Sequence, residues 1–247
     1  MKKARQIPWP RISAEGFAIV ISILLAFGID AWWSNREEDK LTDESLAALR
    51  DELQNNLLEI QHERRFRVAV IASMDELFAL TTAARPLDES EVDSLLEKIT
   101  WGGRIDISTG ALVSILESGA LTTIDNGALK RSIAALPFLI ETTSFNEKGA
   151  WAFLEGELIL FLNREGSLVQ VYNAGVGQGR PGGGGEMASG TKFPSRFSAE
   201  HSVLLDNNQF IGLLAIGQSK HENVVLYYDR LEAAVQQAIE LIDQHLD

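Results

Sequence analysis

Apolar residues recur in steps of three and four along two long stretches of this chain, and that spacing predicts two long amphipathic helices. The first runs from Asn35 to about Ala84 without proline or glycine. Its apolar positions are Leu46, Leu49, Leu53, Leu57 and Ile60, then Ile71, Met74 and Phe78, with Arg64 and Arg67 in the seam between the two sets. The step from Leu53 to Leu57 reads as a stutter, and Thr42-Asp43 as a possible interruption. The second stretch, Asn207–Leu246, carries Phe210, Leu214, Gly217, His221, Val224, Tyr228, Leu231, Val235, Ala238 and Ile242 in alternating four- and three-residue steps. Helices of this kind at the two ends, with shorter ones between them, predict an all-α antiparallel bundle whose first and last members pack together.

The intervening sequence is punctuated by helix breakers and caps. Pro86 ends the first helix, and Asp88 with Glu91 resembles a capping box for a short helix reaching about Ile99. Trp101-Gly102-Gly103 reads as a turn, Thr109–Ser118 as a helix closed by Gly119, and the stretch from Asn126 to about Asn163 as a longer helix kinked at Pro137. Residues 151–162 are strongly apolar, yet Glu155 and Glu157 among them favour a bundle helix over a membrane span. Asn173–Gly190 holds eight glycines and little that could form a core, which predicts a flexible loop, with a short helix starting at Ser198 beyond it. The expected organisation is therefore a tail and anchor over 1–34, a first bundle part over 35–172, a glycine-rich loop over 173–197, and closing helices over 198–247.

The anchor is expected from Gly16–Ile29, fourteen residues without a charge. At 1.5 Å per residue they cover about 21 Å, short of the ~30 Å hydrocarbon core of a bilayer. Trp9 lies 23 residues before Trp32 and 24 before Trp33, about 35 Å on a helix, which suits aromatic side chains at both membrane interfaces. Lys2, Lys3, Arg5 and Arg11 precede the run, so the short N-terminal tail is expected in the cytoplasm and the bundle outside. A cleavable leader ending at Gly28 is the competing reading. Ala18, Ser22, Ala26 and Asp30 fall four residues apart, a spacing that allows close helix association within the membrane and predicts a homo-oligomer.

Three segments resemble a functionally uncharacterised bacterial family with one N-terminal membrane anchor and a helical extracytoplasmic domain. They are Glu15–Trp33, the pattern Leu112-x-x-x-Leu116-x-Ser118-Gly119-x-Leu121-x-x-Ile124-x-x-x-x-Leu129, and Asp206-Asn-x-x-Phe210-x-x-Leu213-Leu214. The resemblance implies a single-pass protein of the inner membrane with its bundle in the periplasm, and it transfers no catalytic residue.

Charge and composition narrow the chemistry. The formal charge is −13; the first 34 residues hold four basic and two acidic groups, which leaves −15 on the remainder. A domain so acidic is ill-suited to nucleic acid or anionic lipid. There is no cysteine and no Gly-x-Ser-x-Gly, and the glycine-rich stretch lacks the Gly-Lys-Ser/Thr ending of a phosphate loop. Glu59-x-x-His62 has di-metal spacing but no second copy, so neither metal nor cofactor is expected. His221, on an apolar face, reads as a hydrogen-bonded core histidine. Arg64 and Arg67 are the charged residues most suited to an anionic ligand or a partner. The expected function is that of a membrane-anchored adaptor or structural subunit binding an envelope protein, with a ligand-sensing ectodomain as the alternative and no enzyme activity.

Overall fold

The computed structural model describes residues 9–176, 192–196 and 198–247, with the side chains of 9–16, 18–20 and 35 left out. Among the described residues every regular element is helical. The helices are α1 (Trp9–Leu80), α2 (Glu89–Ile99), α3 (Gly110–Glu117), α4 (Ala120–Thr123), α5 (Gly127–Phe153), α6 (Ile159–Glu165), α7 (Leu168–Ala174) and α8 (Asn208–Leu246). A π-helical turn, Leu154–Leu158, joins α5 to α6, and a 3₁₀ turn, His201–Asp206, leads into α8.

The 72 residues of α1 are one helix of about 108 Å, unbroken from the uncharged run into the bundle. Thr42 does not interrupt it: the side chain is buried, and its hydroxyl meets that of Thr123 at 2.8 Å. Among the described residues no helix is long and apolar enough to cross a membrane, so the expected transmembrane segment finds no support here. Ala18 and Trp9, two of the residues assigned to it, have side chains outside the described set. Phe17, Leu24, Phe27, Ile29, Trp32 and Trp33 are all exposed on this projecting part.

Beyond Leu41, α8 lies antiparallel along α1. At 39 residues and about 58 Å it matches the length of α1 from Thr42 to Leu80. His245 pairs with Asp43 at 3.5 Å at one end, Arg64 with Asp229 at 2.5 Å in the middle, and Gln218 with Asp75 at 2.8 Å near the other end. All ten apolar-face positions expected on α8 are buried. On α1 the buried positions include Leu46, Leu49, Leu53, Asn56, Ile60, Glu63, Arg67, Val70, Met74 and Leu77 in alternating steps of three and four, with Thr42, Phe66, Ser73 and Leu80 buried beside them. The expected stutter is thus absent. Asn56 holds the core position in place of Leu57, and Val70 and Leu77 hold theirs in place of Ile71 and Phe78.

The shorter helices cover the pair. Asp88 caps α2 by accepting from the Ser90 N–H, Asn126 caps α5, and Asn207 caps α8. Gly119, at φ +81, closes α3 in the left-handed conformation that a side chain disfavours. Helical bonding runs through Pro137, and the departure from α geometry comes later, at Leu154–Leu158. Glu155 and Glu157 are exposed there while Leu154, Leu158, Phe161 and Leu162 are buried, in keeping with a bundle helix.

In place of the opening of the glycine-rich loop, residues 168–174 form α7, and the helix expected at Ser198 is the 3₁₀ turn from His201. The bulk of the loop lies outside the described residues. Its two shoulders are joined: the Asn173 side chain accepts from the Phe193 N–H at 2.8 Å and donates to the Phe193 carbonyl at 2.9 Å.

Gly217 of α8 packs against Met74 of α1 and Phe153 of α5. A Cβ placed there would lie 3.2 Å from Met74 Cε and 3.3 Å from Phe153 Cε1. Gly217→Ala is expected to change stability little, since about 1 kcal/mol of helix propensity offsets the tight contact. Gly217→Leu is expected to cost about 1–3 kcal/mol through overpacking. Urea unfolding of the two variants checks both; equal midpoints would contradict the close packing.

Candidate functional site

Two apolar clusters make up the core, and a polar layer divides them. One cluster gathers Phe66, Val70, Met74 and Leu77 of α1 with α2, the π turn and the start of α8; the other gathers Leu46, Leu49, Leu53 and Ile60 with α3, α5 and the rest of α8. Between them lie Glu63 and Arg67 of α1, Thr143 and Glu147 of α5, and His221 of α8, each no more than 3% exposed, with the Tyr228 hydroxyl reaching in.

Hydrogen bonds order most of this layer. Arg67 Nη1 donates to His221 Nδ1 at 3.1 Å, and Nη2 donates to the Gly103 carbonyl. A guanidinium can only donate, so Nδ1 accepts and the His221 proton sits on Nε2. Tyr228 donates to Glu147 Oε1 at 2.5 Å, and the Ile105 N–H donates to the same oxygen at 2.9 Å. Arg67 Nε is buried with no hydrogen-bond partner, a cost accepted inside the core.

Burial sets the protonation states. It holds His221 down to about 3, with the Arg67 charge adding to the effect, so this histidine stays neutral. It pushes Glu147 above the usual carboxylate range, against the bonds from Tyr228 and Ile105 and the attraction of Arg67. It also raises Tyr228. Among the described residues the layer holds the Glu63 and Glu147 carboxyls, the Arg67 guanidinium and the neutral His221 imidazole.

The strand-like segment from Trp101 to Thr109 has no helical partner of its own, and side chains from α1 and α5 supply one. Asn56 donates to the Ser108 carbonyl at 2.7 Å and accepts from the Ser108 N–H at 3.0 Å. Glu52 accepts from the Ala111 and Leu112 N–H groups at 2.8 and 3.0 Å, capping α3 from a different helix because Thr109 makes no side-chain cap. Gly102 packs flat against Trp151, whose ring a Cβ would overlap at 2.3 Å.

This segment and α5 enclose two neighbouring depressions. A polar cleft of about 610 Å³ is lined by Gly102–Asp106, Ser144, Glu147 and Trp151. An apolar groove of about 510 Å³ lies between α3 and α5, bordered by Leu112, Val113, Leu116, Pro137, Ile140 and Phe145 among others. Phe138 and Phe145, one heptad apart on the outer face of α5, are 71% and 74% exposed.

Arg67 is thus a core residue of the layer, whereas Arg64, expected beside it in the seam, is a half-exposed residue paired with Asp229. The seam position belongs to Glu63. Ser22, Ala26 and Asp30 are exposed on the projecting end of α1, far along the helix from this site, as are Trp32 and Trp33. Glu147, Glu63 and Asn56 escaped the sequence reading; their signal was a step of three or four from Ile60, Arg67 or Thr143, masked by their polarity.

A second polar set ties α2, α7 and the 3₁₀ turn together. His201 Nδ1 meets Asp93 Oδ1 at 2.5 Å, and His201 Nε2 accepts from the Ser167 N–H at 2.9 Å. The nitrogen that would serve as a base is taken by a backbone amide, so no nucleophile is activated there. Among the described residues no group of three or more metal-ligating side chains assembles. No protein family, curated protein or solved structure matches the chain.

Arg67→Leu removes the buried guanidinium that attracts Glu147 and is expected to destabilise the bundle by about 3–5 kcal/mol. Glu147→Gln keeps the acceptor oxygen for Tyr228 and Ile105 while removing the charge. Because the folded chain holds the Glu147 proton more tightly than the unfolded chain, stability is lost as pH rises through the raised value. The gain in Tm of Glu147→Gln over wild type should accordingly be larger at pH 8 than at pH 4.5. His221 acts in the opposite sense: its contribution is full above 6.5 and lost as pH falls toward 3, so His221→Gln should flatten the acid side of the stability profile. Thermal unfolding across pH tests these signs, and a Glu147→Gln gain independent of pH would remove the ionised carboxyl from the layer.

Proposed function

We propose that the chain is a membrane-anchored helical adaptor that works through contacts with another protein. The observation that carries this reading is the outer face of α3 and α5. Val113 and Phe145, 44% and 74% exposed, line an apolar groove, and Phe138, one heptad before Phe145, is 71% exposed, a grouping of large side chains in water that marks interaction surfaces more often than free ones. The anchor in this reading is the uncharged run Gly16–Ile29 with its tryptophan flanks, placed with the basic tail in the cytoplasm of a bacterium and the acidic bundle in the periplasm. Self-association through the Ala18–Ser22–Ala26–Asp30 face completes it.

A ligand-sensing role is the second reading, and the polar cleft at Glu147 is what favours it. The two differ in what Phe145 does: a protein-binding face needs it, whereas a small molecule held in the cleft does not.

Alkaline phosphatase and fluorescent-protein fusions after residue 247 test the location. Phosphatase activity with a dark fluorescent fusion is the expected result, and a fluorescent fusion would overturn the orientation. Ser22→Leu and Ala26→Leu should each weaken cross-linked oligomers in detergent while leaving membrane insertion intact. Phe145→Asp should abolish function in the native host with unchanged circular dichroism; full activity in that variant would move the working surface away from α5.

A further inference from the structure

The outer face of α5 carries a second seam that the other described helices leave largely uncovered. Ala135, Phe138, Thr142, Phe145, Gly149 and Ala152 follow one another in alternating steps of three and four, on the side away from the buried Leu136, Thr143 and Ala150. Phe138 and Phe145 stand in solvent, and a Cβ added at Gly149 would meet nothing within 4 Å, so the seam sets projections beside a hollow. We propose that this seam binds a second copy of the chain, α5 against α5 in opposite directions. The inference rests on the adaptor reading's choice of face and names the partner there.

Size and charge both select this occupant. Turned end for end about a two-fold axis at the level of Thr143 and Ser144, the seam sets Phe138 against the partner's Gly149, Phe145 against the partner's Thr142, and Ala152 against the partner's Ala135. Every phenylalanine thereby meets a smaller residue. On the flank, Glu141 and Lys148 are exposed one heptad apart, and neither makes an ion pair or a side-chain hydrogen bond with a described residue. The same turn brings Glu141 beside the partner's Lys148 and Lys148 beside the partner's Glu141, two ion pairs in one dimer. Pairing in the same direction would stack each phenylalanine on its own copy and Gly149 on Gly149, wide layers next to a gap, and would leave both charges opposite the neutral Asn146 and Phe153. The four phenylalanines alone bring about 400–700 Å² to the contact. Specific interfaces begin at roughly 1,200 Å², which leaves the remainder to the alanines and to the stems of Glu141 and Lys148 on both copies.

Asn146 bonds Asn223 and Phe153 packs at Gly217, so α5 runs antiparallel to α8, as α1 does. The projecting ends of α1 therefore point away from each other in such a pair. The Ala18–Ser22–Ala26–Asp30 face stays free for lateral association, and in the anchored reading the two copies stand in membrane surfaces that face one another.

The test uses the full chain in detergent micelles, with Ser22→Leu and Ala26→Leu present so that the anchor contact is removed, and reads self-association by sedimentation equilibrium. Glu141→Lys and Lys148→Glu should each weaken it about tenfold, since the two-fold repeats each change at two contacts, and the double exchange should restore it. Gly149→Leu, which fills the hollow, should weaken it as well, with unchanged circular dichroism in every variant. The chain has no cysteine, so introduced ones report contacts directly. Under mild oxidation a mixture of Ala135→Cys and Ala152→Cys chains should give the mixed disulfide dimer, and neither chain should link to its own kind.

Single reversals without effect, or Ala152→Cys chains that link to one another, would overturn the proposal. Phe145→Asp separates it from the adaptor reading. Dissociation of the pair with loss of function in the native host supports both, and dissociation with function intact supports the pairing while overturning the adaptor role of this face. Loss of function with the association intact would overturn self-pairing and leave the adaptor reading standing; loss of neither would overturn both.

Discussion

One buried guanidinium fixes how the two long helices meet. Leucine and valine along α1 and α8 would tolerate several alignments, because one heptad slip places apolar residues against apolar residues again. Arg67 does not tolerate it. Its bonds to His221 on α8 and to the Gly103 carbonyl exist in one register only, and a slip of one heptad would set the charge against Leu214 or Tyr228. Once Arg67 is placed, Glu147 and Tyr228 have their positions, Ile105 has its acceptor, and the two apolar clusters fall on either side. The layer gives up some stability, with Nε unpartnered and carboxyls desolvated, and gains a single arrangement of the bundle.

The periodicity of the chain disclosed α8 to the residue and α1 to within one position at several turns. The difference is instructive. On α8 every buried position is apolar, glycine or an aromatic-like histidine, so hydrophobicity and burial coincide. On α1 three of the buried positions are Asn56, Glu63 and Arg67, and reading hydrophobicity alone shifted the seam onto Leu57, Ile71 and Phe78 at its edge. Caps were legible because their chemistry is local: Asp88, Asn126 and Asn207 each bond amides two or three residues on. The cap on α3 was hidden, since Glu52 supplies it from another helix 59 residues away in sequence.

The candidate site was harder to see for the same reason. Glu147 acquires its meaning from Ile105, Tyr228 and Arg67, which only the folded bundle brings to it. The polar cleft is likewise walled by a segment that has no periodicity, held by Asn56 from the side. The charge balance of the buried layer is a property of three helices together and is written in none of them alone.

The Asn173–Phe193 clasp has a different kind of consequence. A side-chain amide that satisfies both backbone groups of one residue holds Asn173 and Phe193 side by side. The ends of the intervening stretch are thereby held side by side, and the entropy of closing a loop of that kind grows only slowly with its length. A change of length between Asn173 and Phe193 would accordingly leave the points at which the described chain stops and resumes where they are.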